Sequence, residues 1–471
     1  MAKPVKTYAC SVCGAVSPKW AGRCEGCGEW NTLEEQVLPK ALPGGIKEGV
    51  RRGGAKIEFV GLEGISPPPP RIPTTIAEFD RVLGGGLVPA SVVLVGGDPG
   101  IGKSTLLLQA GAALGRADSQ VVYISGEESI DQIRMRAARL GLTQSPMALA
   151  AATQLGDILA SLAQFPNAAL VVIDSIQTMW TEGVESAPGS VTQVRAAAFE
   201  LIRAAKTQGF SLLLVGHVTK EGGLAGPRVL EHMVDVVLHF EGDRGHQFRI
   251  LRGVKNRFGA TDEIGVFEMT GRGLAEVMNP SALFLAERRG NVSGSAVFAG
   301  LEGSRPVLVE IQVLLAPNPG GSPRRSVIGW DSGRLSMLLA VLETRCGLKL
   351  AMNDIYLNVA GGLRVNEPAA DLAVAAALIS AASDVPTDPE MVFFGEIGLS
   401  GELRQVAQAE LRLKEAAKLG FARAAIPKCV AGGTARLSVP KTLNLVEIGH
   451  LTDLVGVVAT GAKPGGKKNE E

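Results

Sequence analysis

Between residues 72 and 277 short apolar runs alternate with helix-like segments. The runs fall at 91–96, 121–125, 170–173, 211–215, 234–240 and 248–254, and each reads as a strand. Strands apolar at every position, rather than every second one, are buried on both faces. That pattern predicts an α/β fold: a mostly parallel sheet with helices on each side. From 282 to 458 the pattern continues as α+β, with helices predicted at 333–344, 369–382 and 410–419. Residues 37–71 turn to Pro, Gly, Lys and Arg and end in Pro67-Pro68-Pro69-Pro70, a composition that builds no core and predicts a linker. The polar stretch 461–471 reads as a disordered tail. The expected domains are therefore 1–36, 72–280 and 281–460, with the linker at 37–71.

The ends of these runs carry the candidate chemistry. The run at 91–96 leads into Gly97-Asp98-Pro99-Gly100-Ile101-Gly102-Lys103-Ser104-Thr105, which fits the phosphate-loop pattern G-x-x-x-x-G-K-[ST] at every fixed position. Glycines let backbone N–H groups close around phosphate oxygens, and the following helix N-terminus adds positive potential. Lys103 can reach the β- and γ-phosphates, and the Ser104 hydroxyl can ligate Mg²⁺. A chain with this loop binds ATP or GTP.

In mostly parallel sheets ligands bind at the carboxyl ends of the strands, where three further residues fall. Asp174 ends Leu170-Val171-Val172-Ile173 and can hold Mg²⁺ through water, although an Asp capping the next turn would occupy the same place. Glu127 follows the run at 121–125 and can orient the attacking water; Glu128 is its competitor. His217 ends 211–215 and could sense the γ-phosphate. Lys255 and Arg257, in Lys255-Asn256-Arg257-Phe258-Gly259, form a separate cationic pair. Such a pair is either a solvated turn or a reach towards a neighbouring subunit's γ-phosphate.

Four of the six cysteines form Cys10-x-x-Cys13 and Cys24-x-x-Cys27. Two such knuckles supply a tetrahedral thiolate set for a structural Zn²⁺, with Trp20 and Trp30 available to cover the unit. Lys+Arg and Asp+Glu both total 47, so any polyanion site must come from local clustering. The N-terminus lacks the apolar core of a signal peptide, and no stretch approaches the about 18 apolar residues of a membrane span. A cytoplasmic protein without membrane contact is expected.

Taken together, these residues resemble the RecA-type ATPase core and, more specifically, the bacterial RadA (Sms) DNA-repair family. The likeness rests on the four-cysteine N-terminus, 97–105, Ile173-Asp174-Ser175 and 255–259. A C-terminal region similar to the Lon protease domain adds to it. The resemblance implies an ATP-driven protein on single-stranded and branched DNA that promotes branch migration, working as a homo-hexameric ring. A recombinase filament and a single-stranded-DNA-binding protein are implied as partners. It places Lys103, Ser104, Thr105, Asp174, Glu127, Lys255 and Arg257 in the ATP chemistry, the last two at a neighbour's nucleotide. DNA would lie along loops at 178–193 and 220–228, with Lys220, Arg228 and Trp180 as contacts and glycines making the empty loops mobile. In the Lon-like part Ala369, within Glu367-Pro368-Ala369-Ala370-Asp371, stands where Lon has its serine nucleophile, and the lysine position falls near Glu410. Proteolysis is therefore expected to be lost. Oligomerisation and DNA binding would replace it, through clusters such as Arg288-Arg289, Arg305 and Arg324-Arg325. Two alternatives stay open: an ATP-dependent protease or chaperone, and an ATP-switched DNA scaffold without motor activity.

Overall fold

The computed structural model describes residues 7–10, 16–17, 19–25, 28–36, 69–216, 229–242, 247–261, 263–286, 288, 291–318, 320–428 and 437–459. It divides into two compact units, Met1–Glu241 with Arg249–Glu276, and Gly242–Phe248 with Val277–Glu471. Cys13, Cys27, His217, Lys220, Arg228 and Arg289 lie outside the described residues.

The first unit begins with a small antiparallel sheet in the order β2-β1-β3, from β1 (Thr7–Cys10), β2 (Val16–Ser17) and β3 (Leu33–Gln36). Cys10 and Cys24, one from each pair, are buried in one small cluster with Leu33. The tryptophans do not cover them. Trp20 and Trp30 are 57% and 67% exposed, and the partly buried side chains packed on the Cys10–Cys24–Leu33 cluster are those of Tyr8 and Ala21.

The larger part follows in alternation: α1 (Ala77–Leu83), β4 (Val92–Gly97), α2 (Lys103–Arg116), β5 (Gln120–Ser125), α3 (Ile130–Arg139), β6 (Ala148–Ala151), α4 (Leu155–Leu162) and β7 (Ala168–Asp174). Then come α5 (Val191–Gln208), β8 (Ser211–Val215), α6 (Val229–Met233), β9 (Val236–Glu241), β10 (Phe248–Asn256), β11 (Ile264–Thr270) and β12 (Gly273–Glu276). They build one nine-stranded sheet in the order β12-β11-β10-β9-β4-β8-β7-β5-β6. Every pair from β9 through β6 is parallel, and β10 and β12 run antiparallel to β9 and β11. Successive strand residues feed opposite cores. Val93, Val95, Leu170, Val172, Leu213 and Val215 pack on one side with α1 and α2. Val92, Leu94, Val171, Ile173, Leu212 and Leu214 pack on the other with α4 and α5. That is the physical reason these strands are apolar throughout.

Three strands carry too weak a signal to read. Ala148–Ala151 is mostly alanine, which has low strand preference, and Ile264–Thr270 with Gly273–Glu276 is a hairpin on the sheet edge.

In the second unit α7 (Pro280–Phe284) precedes β13 (Ser295–Glu302), β14 (Arg305–Pro317), β15 (Arg325–Ile328), α8 (Ser332–Cys346), β16 (Asn353–Val359) and α9 (Asp371–Ser383). After β17 (Met391–Phe393), β18 (Glu396–Ile397) and β19 (Leu403–Arg404) come α10 (Ala409–Lys418), β20 (Arg423–Pro427), β21 (Asn444–Ile448) and α11 (Leu451–Ala459). The main sheet is mixed, in the order β15-β16-β14-β13-β17-β20-β21. Against it lies α9, buried over Asp371–Ser380, as expected of a helix apolar all round. The helix starts at Asp371 rather than 369 because Pro368–Ala370 form a separate 3₁₀ turn. Among the described residues no helix is long and apolar enough to cross a membrane.

Candidate ATPase site

The phosphate loop leaves β4 at Gly97 and enters α2 at Lys103. Gly97 and Gly102 have φ of +150° and +117°. A Cβ on Gly97 would sit 2.7 Å from the Phe240 carbonyl oxygen, and one on Gly102 2.8 Å from Met269 Cε. Glycine is thus required at 97 by conformation and by space together, and at 102 by conformation, since the Met269 tip could move aside. Between them Ile101 is buried as the anchor of the loop, and its carbonyl accepts from Arg249 Nε at 3.3 Å.

Lys103 is 4% exposed and donates from Nζ to the carbonyls of Gly97 at 2.7 Å and Asp98 at 3.0 Å. The ammonium therefore folds back onto oxygens of its own loop, in the manner in which it would meet phosphate oxygens. Burial lowers its pKa, and the charges of Asp174, Glu127 and Asp98 oppose that fall. All four groups share one electrostatic neighbourhood. Ser104 and Thr105 are half-buried in the first turn of α2.

Asp174 closes β7 and pairs in register with Ser125 at the end of β5. Its Oδ2 accepts the Tyr123 hydroxyl at 2.5 Å. Burial raises the Tyr123 pKa well above its ordinary value, reinforced by the Asp174 charge, so the phenol stays a donor. Glu127 is exposed, and its Oε1 accepts the Ser175 hydroxyl at 2.5 Å. Glu128 is engaged differently, in an ion pair with Arg136 of α3. The turn holding both glutamates is fixed by Ser125, whose Oγ accepts from the Glu127 and Glu128 N–H groups at 3.3 and 2.9 Å. The sequence does not single out Tyr123 or Arg249, and it shows Ser175 only as the last residue of Ile173-Asp174-Ser175. The available signal was one hydroxyl in the otherwise aliphatic run 121–124.

Lys255 and Arg257 are not in this pocket. Because β10 is antiparallel to β9, Lys255 lies opposite Val237, while Phe240 lies opposite Gly97. The two cations are thus at the amino end of the parallel strands, and the phosphate loop is at the carboxyl end. Lys255 Nζ donates to the carbonyls of Glu231 and Val234 at 2.6 and 2.8 Å, at the end of α6. Arg257 is 57% exposed, 3.5 Å from Asp235. Asp235 in turn accepts Lys206 Nζ at 2.7 Å and the Val92 N–H at 3.0 Å.

The segment 178–193 is tied down, unlike the loose empty loop expected of it. Gln193 is buried and fastens it: its Nε2 donates to the carbonyls of Thr181, Val184 and Ser186, and its Oε1 accepts the Thr181 N–H. Trp180 is half-buried and donates to Thr153 Oγ1 at 3.3 Å, so its ring is not a free stacking platform. The segment contains no Lys or Arg and exposes Glu182 and Glu185.

Three family profiles match the chain: an AAA domain over 70–223, a rubredoxin metal binding domain over 8–35, and the ChlI subunit of Mg-chelatase over 336–429. The DNA repair protein RadA of Brucella abortus is 54% identical over 99% of this chain and 100% of its own length. The Bacillus subtilis protein of that name is 48% identical over 96% and 98%. The chain belongs to the DNA repair protein RadA family. A crystal structure of the RadB recombinase, 22% identical with a TM-score of 0.35 over 43% of this chain and 98% of that one, is too distant to bear on the site.

As a RadA-family member the chain is a RecA-like ATPase with a metal-binding ribbon before the core and a ChlI/Lon-like domain after it. In that last domain Ala369 is buried and offers no nucleophile. Glu410, near the expected lysine position, turns outward and accepts the Ser438 N–H at 2.9 Å. Two residues on, Arg412 is buried and donates to Glu367 at 2.6 and 3.0 Å and to the Ala299 carbonyl at 2.8 Å. A guanidinium stays protonated and cannot serve as a base. Of the arginines expected to meet DNA, Arg305 is buried and donates to the Val277 and Met278 carbonyls, and Arg288 donates to the Pro389 carbonyl. Arg324 is exposed.

Proposed function

We propose that this RadA-family ATPase hydrolyses ATP to drive branch migration on single-stranded and branched DNA, as a homo-hexameric ring with nucleotide sites shared between copies. Lys103 binds the β- and γ-phosphates, and Glu127 orients the attacking water, Glu128 being occupied by Arg136. The Ser104 hydroxyl and Asp174 carboxylate are hard oxygen donors of the kind Mg²⁺ takes, and they would hold it. When bound, Mg²⁺ neutralises charge on the transferring phosphoryl group. Cys10, Cys13, Cys24 and Cys27 would hold Zn²⁺ in the ribbon, supported by the joint burial of Cys10 and Cys24.

The single observation that carries the shared-site reading is the separation of cations. Lys103 stands at the carboxyl end of the sheet and Arg257 is exposed at the amino end. An arginine so placed cannot meet the phosphates of its own copy, whereas head-to-tail neighbours would bring it to theirs. Lys255 holds the turn that presents it. DNA contact would fall to Lys220, Arg228 and exposed cations such as Arg324 rather than to 178–193. The recombinase filament and single-stranded-DNA-binding protein remain partners by family likeness.

Branch migration on forked DNA tests the whole, with wild type and Lys103→Ala, each with and without ATP. Junction movement by wild type with ATP alone is expected. Fork binding without movement would turn the reading into a scaffold, and full-speed movement by a monomer would sink the shared site.

A further inference from the structure

We propose that Tyr123 is a positioning residue for the metal-associated carboxylate, holding one oxygen of Asp174 so that the other faces the nucleotide. The inference rests on the reading that Asp174 serves Mg²⁺. Tyr123 is fully buried in the cluster that β4, β5 and β7 share with α1 and α2, among Leu106, Leu107, Val172 and Val215. In such surroundings a hydroxyl without a partner is costly, and phenylalanine would fill the same space without that cost. The hydroxyl finds its partner in Asp174 Oδ2, at 2.5 Å.

The register makes the contact possible. β5 and β7 are parallel neighbours, with Tyr123 opposite Val172 and Ser125 opposite Asp174. The tyrosine side chain runs along the sheet towards the carboxyl end and spans the two residues, about 6.6 Å of strand, to the aspartate. Asp174 is itself 5% exposed. A carboxylate at the rim of a pocket could rotate about its terminal torsion, which is broad and roughly two-fold. With Oδ2 fixed by a charge-assisted bond, that rotation is stopped, and Oδ1 keeps one direction relative to Ser104 and Lys103. Preorganisation of this kind acts on the metal complex rather than on the nucleotide alone.

The test uses the full chain and titrates binding of a fluorescent non-hydrolysable ATP analogue, once in EDTA and once across Mg²⁺ concentrations, with a thermal unfolding scan of each variant. Tyr123→Phe is expected to raise the Mg²⁺ midpoint about tenfold, as loss of one charge-assisted hydrogen bond implies, and to leave affinity in EDTA within about twofold. Placing 4-aminophenylalanine at 123 restores an N–H donor and should return the midpoint to within about threefold of wild type. Equal weakening with and without Mg²⁺, or no rescue by the amino analogue, overturns the proposal and leaves Tyr123 a packing residue. Asp174→Asn separates the two layers. If it too leaves the Mg²⁺ midpoint unchanged, the metal reading of Asp174 fails; if it shifts the midpoint and Tyr123→Phe does not, only the present inference fails.

Discussion

Two helix starts in this protein are built from similar parts and behave as opposites. At α2 the ammonium of Lys103 rests on two carbonyls of its own loop, Asp174 takes the Tyr123 hydroxyl on Oδ2, and Glu127 is exposed. At α9 the polar groups are closed on one another. Asp371, fully buried, accepts Arg334 at 2.5 and 2.6 Å and the Ile397 N–H at 3.0 Å. Just before it Glu367 takes both arms of Arg412 and the Leu301 N–H at 2.7 Å. Buried charge is therefore a poor guide to chemistry by itself. What separates the two is whether incoming oxygens could displace the present partners. Backbone carbonyls holding a lysine are displaceable; bidentate guanidinium–carboxylate pairs are not.

The contrast is broken most easily at Lys103. Lys103→Ala is expected to lower ATP turnover by about 10⁴-fold, ~5.5 kcal/mol of transition-state stabilisation, measured by phosphate release. Activity within tenfold of wild type would show that the loop is as closed as the α9 end. Arg412→Ala should instead act on stability. Removing the buried guanidinium leaves Glu367, 24% exposed, with only the Leu301 N–H, and the Ala299 carbonyl without its donor, at a cost of about 1–3 kcal/mol in denaturant unfolding of the C-terminal unit. Combining Arg412→Met with Glu367→Gln is expected to recover most of that loss, since the pair has no chemical duty. Ala369→Ser, even with its hydroxyl in place, should leave casein undigested, because Arg412 cannot take a proton. ATP-dependent digestion by that variant would refute the reading of α9 as inert.

Within the active end, the two glutamates sharpen the contrast. Glu127→Gln is expected to reduce turnover about 10²-fold with nucleotide affinity within about twofold, as for loss of a water-orienting base. Glu128→Gln breaks a half-exposed ion pair with Arg136 and should change turnover by less than about threefold. Reversed effects would exchange their roles.

The legible parts of the molecule are those where one local pattern decides the outcome. Strands apolar at both face parities, such as 170–173 and 211–215, could only be central and parallel, and so they are. Glycines at 97 and 102 announced a loop that the backbone requires. The less legible parts depend on partners distant in sequence. Whether Lys255 points at phosphate or at the carbonyls of α6 is set by an antiparallel register that no spacing reveals. Nor does composition tell that Gln193 would tie down a glycine-containing segment, or that Arg305 would face inward. A glycine frees only its own backbone; one buried amide gathering three carbonyls outweighs two of them.

The smallest expected effect concerns the ribbon, where the sequence suggested indoles shielding the cysteines. Trp30 is two-thirds exposed, and what it offers is a ring 5.9 Å from the Arg23 guanidinium. An exposed contact of that kind contributes about 0.5–1 kcal/mol. Trp30→Ala should thus lower the stability of the metal-loaded ribbon by no more than that, with metal retention against a chelator unchanged. Cys24→Ser, which removes one of the two cysteine sulfurs buried among the described residues, should release the metal. A loss of several kcal/mol in Trp30→Ala would mean that the indole shields the metal after all, and the small interior would have to be repacked around it.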